Sequence, residues 1–347
     1  MDKQQIKEAT RKVFFKLNQI NFDRCEISEY NKKYIKEYCV NASFFESLYT
    51  QLIVKSMKNN RKPVDEITFI DYGGGCGILS YIASELGIKK VIYNDIYDVS
   101  VHDVKRIAPL LKYSTIDCVQ GDIDELMEYL NTEKITPDII CSFDVLEHIY
   151  NLNYWFSKIK ELDNSFSLYF MTSANGDNWY VNRKLKKTHK KAEFIGSEIK
   201  KGWKKRDSNV PFLDLRTEMI SKKYTKLTKN EINMLAQKTR GLIQEDIFKV
   251  VNEYLNTGEI SYSIEHPTNT CDPKTGNWAE HIIDVKKLKK KIEDTNTSVT
   301  FTSSTYSYSS NKLANIFKWF LNIIIMLLGN KNLRISHMYT LELHSNK

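Results

Sequence analysis

Residues 67–77 read ITFIDYGGGCG: an apolar run from Ile67 to Ile70, the acid Asp71, then a turn carrying Gly73, Gly74, Gly75 and Gly77. The run predicts a strand buried on both faces, and the glycines open a helix expected from about Leu79 to Leu86. Glycine lets a backbone turn sharply and approach a ligand closely, and a helix N-terminus offers unpaired N–H groups. Alone, the turn does not choose its ligand. A nicotinamide-binding turn reads G-x-G-x-x-G, with its third glycine one position beyond Gly77, and a Walker loop needs a Gly-Lys-Ser/Thr that is absent.

Downstream, KVIYND (90–95), IDCVQGD (116–122), DIICSFD (138–144) and SLYFMT (167–172) repeat the pattern of an apolar run followed by helical spacing. Such runs describe a parallel sheet with both faces covered. Upstream, residues 1–60 carry helical periodicity with Phe14, Phe15, Tyr34, Tyr38, Phe44, Phe45 and Tyr49, and are expected to form a helical cap ending before Pro63. After Asn175 the alternation stops. A basic stretch comes first, then helical patterning over 229–254, the polar stretch HPTNTCDPKTGNWAEH (266–281), and strand patterning in 299–308 and 335–344 on either side of an apolar helix. The expected architecture is one α/β sheet divided into a cap (1–60), a ligand-binding core (61–175), a basic and helical insert (176–285), and terminal strands (286–347) with the apolar helix at 313–329.

The acids at the strand ends narrow the ligand. Asp95 closes the second strand, where a carboxylate accepts hydrogen bonds from both hydroxyls of a ribose. Asp122 follows the third, placed for an adenine amino group with Ile123 against the ring, and Asp144 closes the fourth. Four acids at one sheet edge describe a crevice for an adenosine-bearing, positively charged ligand. With these residues in this order, residues 60–175 resemble the class I S-adenosylmethionine-dependent methyltransferases. The resemblance implies a Rossmann-like seven-stranded sheet ending in a β-hairpin, and S-adenosylmethionine as cofactor. It sets Asp71, Gly73, Gly75 and Gly77 toward the methionine portion, Asp95 at the ribose and Asp122 with Ile123 at the adenine; Ile96 and Asp144 complete the binding set. The insert has no counterpart in the minimal family, so the acceptor is not inherited. O- or N-methylation of a small molecule or glycan precursor is the expected reaction.

The run Asp144-Val-Leu-Glu147-His148 resembles that of ubiquinone-type and other small-molecule O-methyltransferases. It is also similar to the E-x-x-E-H run of small-RNA 2′-O-methyltransferases, in which carboxylates and histidine hold Mg²⁺; here Asp replaces the first Glu. If the run is helical, Asp144, Glu147 and His148 share one face and suit a divalent ion, with His281 or His266 as a further ligand. The adopted expectation is a site without metal, in which the run orients substrate or serves structure. An oxygen acceptor must lose a proton, and a histidine, with pKa about 6.5, suits that task. His148 and His281 are the candidate catalytic residues. Against them stand plainer roles: His148 bonding a loop carbonyl, His281 packing beside Trp278. The groups of 266–281 (His266, Asn269, Thr270, Asp272, Asn277, Glu280 and His281, with Trp278 as an aromatic face) suit a sugar, or else a well-capped loop.

Over 347 residues, 51 Lys and Arg oppose 43 Asp and Glu, and 41% hydrophobic residues suffice for a substantial core. The charge is concentrated: between Arg183 and Arg206, eleven basic residues meet two acids, leaving the remainder at −1. That excludes a protein that coats nucleic acid generally and points to a local partner of the insert. A membrane surface or pyrophosphate, RNA stacked on Trp179, Tyr180 and Trp203, and a merely solvated loop are the alternatives. The six cysteines lack CxxC spacing and are expected as buried free thiols, and the charged N-terminus lacks a secretory pattern, so the expected location is cytoplasmic or membrane-peripheral. The helix at 313–329 is expected in the core or a dimer interface, in a membrane interface, or across a membrane. A non-catalytic binding protein that keeps the cofactor pocket is the remaining class; the full set of strand-end acids argues against it.

Overall fold

The computed structural model describes residues 1–113, 116–162, 165–196, 209–308, 312–329 and 332–346. The chain forms two units. One comprises 1–146, 152–173 and 285–347; the other comprises 147–151 and 174–284.

The first unit is built on seven strands: β1 (Thr68–Tyr72), β2 (Lys90–Asp95), β3 (Ile116–Gln120), β4 (Ile139–Phe143), β5 (Phe166–Thr172), β6 (Thr297–Ser303) and β7 (Tyr339–Ser345). Their order is β3-β2-β1-β4-β5-β7-β6, with β1 to β5 parallel and β7 antiparallel to both neighbours. This is the Rossmann-like seven-stranded sheet expected from the sequence. Phe69, Ile70, Val91, Ile92, Ile139, Ile140, Leu168 and Phe170 are all buried, which is why the runs are apolar without alternation. Register sets the functional edge. Asp71 pairs with Tyr93 and with Cys141, so β1, β2 and β4 finish in step and bring Asp71, Asp95 and Asp144 to one end of the sheet.

Helices α1 (Lys3–Gln19), α2 (Glu29–Val40) and α3 (Ala42–Lys58) precede the sheet. Asp2 caps α1, accepting from Gln5 N while the Gln5 side chain bonds back, and Ile6, Val13, Phe14 and Leu17 form its buried stripe. Between strands lie α4 (Ile78–Glu85), α5 (Asp98–Leu110), α6 (Ile123–Thr132) and α7 (Leu152–Ile159). The third strand stops at Gln120, because Gly121 at φ +129° takes the chain out of the ladder.

In the second unit, α8 (Trp179–Phe194), α9 (Phe212–Lys223), α10 (Lys229–Lys238) and α11 (Gln244–Thr257) precede an irregular stretch to Asp284. The first half of the basic insert is therefore helix, not loop. Leu185, His189 and Glu193 recur every four residues on the buried face of α8. Lys200, Lys201, Trp203, Lys204, Lys205 and Arg206 lie outside the described residues. Glu193 pairs with the fully buried Arg216, whose Nε donates to Ala236 O at 2.8 Å. Ile220, Leu235, Ala236, Ile247 and Val251 form this unit's own core.

The first unit resumes with α12 (Val285–Ile292), β6, α13 (Lys312–Leu327) and β7. Strand patterning predicted to Tyr308 ends at Ser303, where pairing with β7 ends at Tyr339. The expectation of α13 in the core is overturned: Ile325 is its one buried residue. Among the described residues no helix is long and apolar enough to cross a membrane. The cysteines are all free thiols, but only Cys76, Cys141 and Cys271 are buried; Cys25, Cys39 and Cys118 are partly exposed.

Candidate active site

In the first unit the glycine turn is held by the end of β2. Gly74 N donates to Asn94 O (2.9 Å), Tyr93 Oη donates to Gly75 O (2.6 Å), and Gly75 N donates to Asp95 Oδ2 (2.8 Å). Asp95 Oδ1 takes Tyr97 N at 2.7 Å, so this carboxylate spans the two loops that flank the crevice. Gly77, at φ +84°, begins α4; a Cβ there would lie 2.9 Å from Tyr81 and Val104. Gly75, at φ +54°, would direct a Cβ into open space. Crowding explains the first glycine, and room for a ligand explains the second.

Asp71 is buried and accepts from Ser80 N (3.0 Å) and Ser80 Oγ (2.8 Å) through Oδ2. Its Oδ1 has no hydrogen-bond partner among the described residues. Burial, against the Ser80 bonds and with Asp95 adding, pushes its pKa up to about 7. A buried, unmatched carboxylate oxygen beside an open glycine cradle fits a ligand that brings positive charge, as the methionine portion of S-adenosylmethionine does.

The remaining predicted residues have varied surroundings. Ile96 is half exposed after β2. Asp122 caps α6, accepting from Asp124 N (2.9 Å) while its own N–H donates to Glu125 Oε2 (2.9 Å), and Ile123 is buried. Asp144 stands at φ +53°, and its Oδ1 accepts from Ser173 N at 2.7 Å. Because Asp144 is left-handed and only Leu146–His148 form a 3₁₀ turn, the helical face proposed for Asp144, Glu147 and His148 does not form.

A row of tyrosines went unassigned in the sequence. Tyr30 meets Tyr97 (ring centroids 5.4 Å) and Tyr34 (4.8 Å), Tyr34 meets Tyr38 (6.4 Å), Tyr38 meets Tyr49 (6.4 Å), and Tyr49 meets Phe143 at the end of β4 (4.7 Å). Tyr30, Tyr34 and Tyr38 recur every four residues on α2, a signal that was present. Burial, with Tyr34 and Asp95 adding at Tyr30, raises the pKa values of Tyr30, Tyr38 and Tyr49, keeping these three hydroxyls protonated.

In the second unit, Glu147, His148 and Glu280 converge, one potential ligand atom from each lying within 4.8 Å of the others. Glu147 is fully buried. His148 Nδ1 lies 3.0 Å from Trp278 O, and since a carbonyl only accepts, that nitrogen carries the proton. Nε2 then stands 3.9 Å from Glu280 Oε1. Glu280 is itself left-handed (φ +64°), and burial raises its pKa. The His281 ring stacks on Trp278 at 4.3 Å, and the backbone N–H of His281 donates to Glu147 O at 3.1 Å. Nδ1 of His281 has no hydrogen-bond partner among the described residues. Burial first, then His189 and His266, push its pKa down to about 3. Both plainer roles foreseen for these histidines are present, yet each leaves a ring nitrogen beside the carboxylates or unmatched.

The polar stretch around them is mostly structural. Asn269 bonds Ile282 N and O (3.0 Å each), Thr270 Oγ1 donates to Glu193 Oε2 (2.7 Å), and Asp272 Oδ1 accepts Lys274 N (2.8 Å). These three side chains are buried, which overturns their assignment to sugar hydroxyls. His266 Nδ1 bonds Thr268, and the buried His189 is fixed by Thr268 Oγ1 and Glu280 O.

Sheet order, glycine turn and strand-end acids define a Rossmann-like methyltransferase that uses S-adenosylmethionine. A family model described as "Methyltransferase domain" matches residues 63–254, and the chain belongs to that family. Among solved structures it is similar to the plantazolicin methyltransferase BamL in complex with a triazolic desmethylPZN analog and SAH, at 13% identity over 99% of this chain and 98% of that one, with TM-score 0.43. A second is the plantazolicin methyltransferase BpumL in complex with SAH, at 12% identity over 99% of this chain and 98% of that one, with TM-score 0.41. No curated protein matches the sequence.

Proposed function

We propose that the protein methylates an oxygen or nitrogen of a small molecule or glycan precursor, with His148 and His281 acting on the acceptor. When bound, S-adenosylmethionine supplies a methyl group on a sulfonium that is already activated for displacement. Asp71, Gly73, Gly75 and Gly77 would hold its methionine portion, and Asp95, Ile96, Asp122, Ile123 and Asp144 the remainder. The chain's own task is to orient the acceptor and receive its proton. The observation that carries this reading is the Glu147, His148 and Glu280 group. With Nδ1 committed to Trp278 O, His148 offers Nε2 as proton acceptor, and the carboxylates favour the imidazolium that results. His281, neutral down to about pH 3, suits accepting a hydrogen bond from the acceptor better than storing its proton. The proposed setting is the cytoplasm, with peripheral attachment to an anionic membrane.

The test is to incubate cell extract with methyl-labelled S-adenosylmethionine and identify the labelled product by mass. A labelled small molecule or glycan precursor, weakened at least about hundredfold in His148→Gln, is expected. Label appearing only in protein, or full activity in that variant, would overturn the assignment.

A second reading rests on the same three side chains. Two carboxylates and an imidazole suit a divalent cation, which would lower the pKa of a bound hydroxyl, including an RNA 2′-hydroxyl. Its ligand set is Glu147, His148 and Glu280 in place of the run beginning at Asp144. Labelling of total RNA that is abolished by chelator and restored by Mg²⁺ or Mn²⁺ would favour it; chelator-insensitive activity would remove it.

A further inference from the structure

Helix α13 is an amphipathic helix mounted in reverse. Leu313, Ile316, Phe317, Phe320 and Leu327 follow the spacing of one helix face, and each is 54 to 80% exposed. The opposite face carries Asn315, Lys318, Asn322 and Ile325, all half-buried or buried. Asn322 fastens that face to the preceding loop: its Oδ1 accepts Tyr306 N (2.7 Å) and its Nδ2 donates to Tyr306 O (3.0 Å). Burial of apolar surface favours the opposite orientation, so an outward stripe of this size marks a docking surface.

Charge selects the occupant. Residues 304–338 hold Lys312, Lys318, Lys331 and Arg334 and no acid. A second copy would set like charge against like. An anionic lipid surface accepts both the stripe and the exposed Lys312 and Arg334, and Trp319, also exposed, is a residue favoured at the headgroup boundary. At sixteen residues, about 24 Å long, the helix is too short to cross a hydrocarbon core of ~30 Å and suits the plane of the interface.

We propose that α13 seats the protein on an anionic membrane, lying in the headgroup region with the stripe from Leu313 to Leu327 inserted. The helix connects the end of β6 to the start of β7, and register aligns Ser303 with Tyr339 and Tyr339 with Thr172. That connection thus leaves the sheet at the carboxyl edge of β1 to β5, the edge that carries Asp71, Asp95 and the glycine turn. Seating α13 brings this edge to the bilayer. Resting on the methyl-transfer reading, one consequence follows for the acceptor: it is itself lipid-borne or amphipathic.

Flotation of the full chain tests the docking. The probes are vesicles of phosphatidylcholine alone and of phosphatidylcholine mixed with an equal amount of phosphatidylglycerol. The wild type is expected to float with the mixed vesicles and remain behind with the neutral ones. Phe317→Glu combined with Phe320→Glu should reduce vesicle binding by more than about tenfold. Leu313→Glu with Leu327→Glu, at the two most exposed apolar positions of the helix, gives an independent second reading. Calorimetric binding of S-adenosylmethionine by both variants shows that they are folded and reports separately on the cofactor assignment. Failure of the wild type to float, equal flotation with neutral vesicles, or undiminished flotation of both variants overturns the proposal. So does a wild-type dimer in sedimentation velocity that becomes monomeric in the variants without any vesicle binding, since a second copy then covers the stripe. Flotation without cofactor binding leaves the docking intact and removes the methyl-transfer reading.

Discussion

Asp71 and Asp95 sit at neighbouring strand ends and differ in how they are satisfied. Asp95 is matched on both oxygens by backbone N–H groups, so Asp95→Ala removes an anchor of the glycine turn as well as a cofactor ligand. Calorimetry is expected to show at least about a hundredfold loss of S-adenosylmethionine affinity. Asp71 is strained by burial. Its folded-state pKa, about 7, exceeds the unfolded value of 3.8, so its contribution to stability is fully present below that lower value and is lost as pH rises toward 7. Asp71→Asn, which can still accept from Ser80, should therefore raise the free energy of unfolding at about pH 8 by on the order of a few kcal/mol while weakening cofactor binding. His281 and His337 run the other way. Burial depresses their pKa values to about 3 and about 4, so the unfolded chain binds protons that the folded one refuses, and stability falls as pH drops below about 6.5. Urea titrations at several pH values should show that slope, reduced in His281→Gln; an unchanged slope would show that His281 is not held neutral.

The glycine turn and its neighbours show what a local pattern can reveal. Gly77→Ala meets Tyr81 and Val104 at a positive φ, and should lower thermal stability by about 2 kcal/mol or more. Gly75→Ala meets nothing and should cost about 1 kcal/mol of stability, while losing most cofactor affinity. Thermal melts paired with calorimetry separate the two; equal stability losses would contradict the crowding argument. Strands β1, β2, β4 and β5 were legible because burial on both faces imposes apolar runs, and the turn after β1 because glycine alone serves there. The run after β4 was not. Its i, i+3, i+4 spacing suggests a helix, but Asp144 turns left-handed to reach Ser173 N, a partner 29 residues away that no local pattern reveals. Asn269, Thr270 and Asp272 misled for a related reason: composition makes a stretch polar without saying which polar groups face inward. For α13, apolar composition suggested burial, and only tertiary structure could show that its polar face is the covered one.

Each unit owns a core, one running through the sheet and its flanking helices, the other through α9 to α11. We propose on that basis that residues 176–283 can be replaced by a flexible linker with cofactor binding kept within about tenfold and methyl transfer lost. Loss of cofactor binding would show that the first unit does not hold its fold alone. Of the eleven basic residues between Arg183 and Arg206, six lie on α8 in the second unit, and the acid-free segment around α13 is a separate basic stretch in the first. The strand order carries a consequence for biosynthesis. Among the described residues β6 pairs only with β7, and thirty-five residues (304–338) separate them in the chain. During translation β6 therefore emerges with no partner and waits, its polar Thr and Ser positions guarding it against pairing with other chains. Helix α13 is made within that interval, so a growing chain presents its apolar stripe to a nearby bilayer before the last strand arrives to close the sheet.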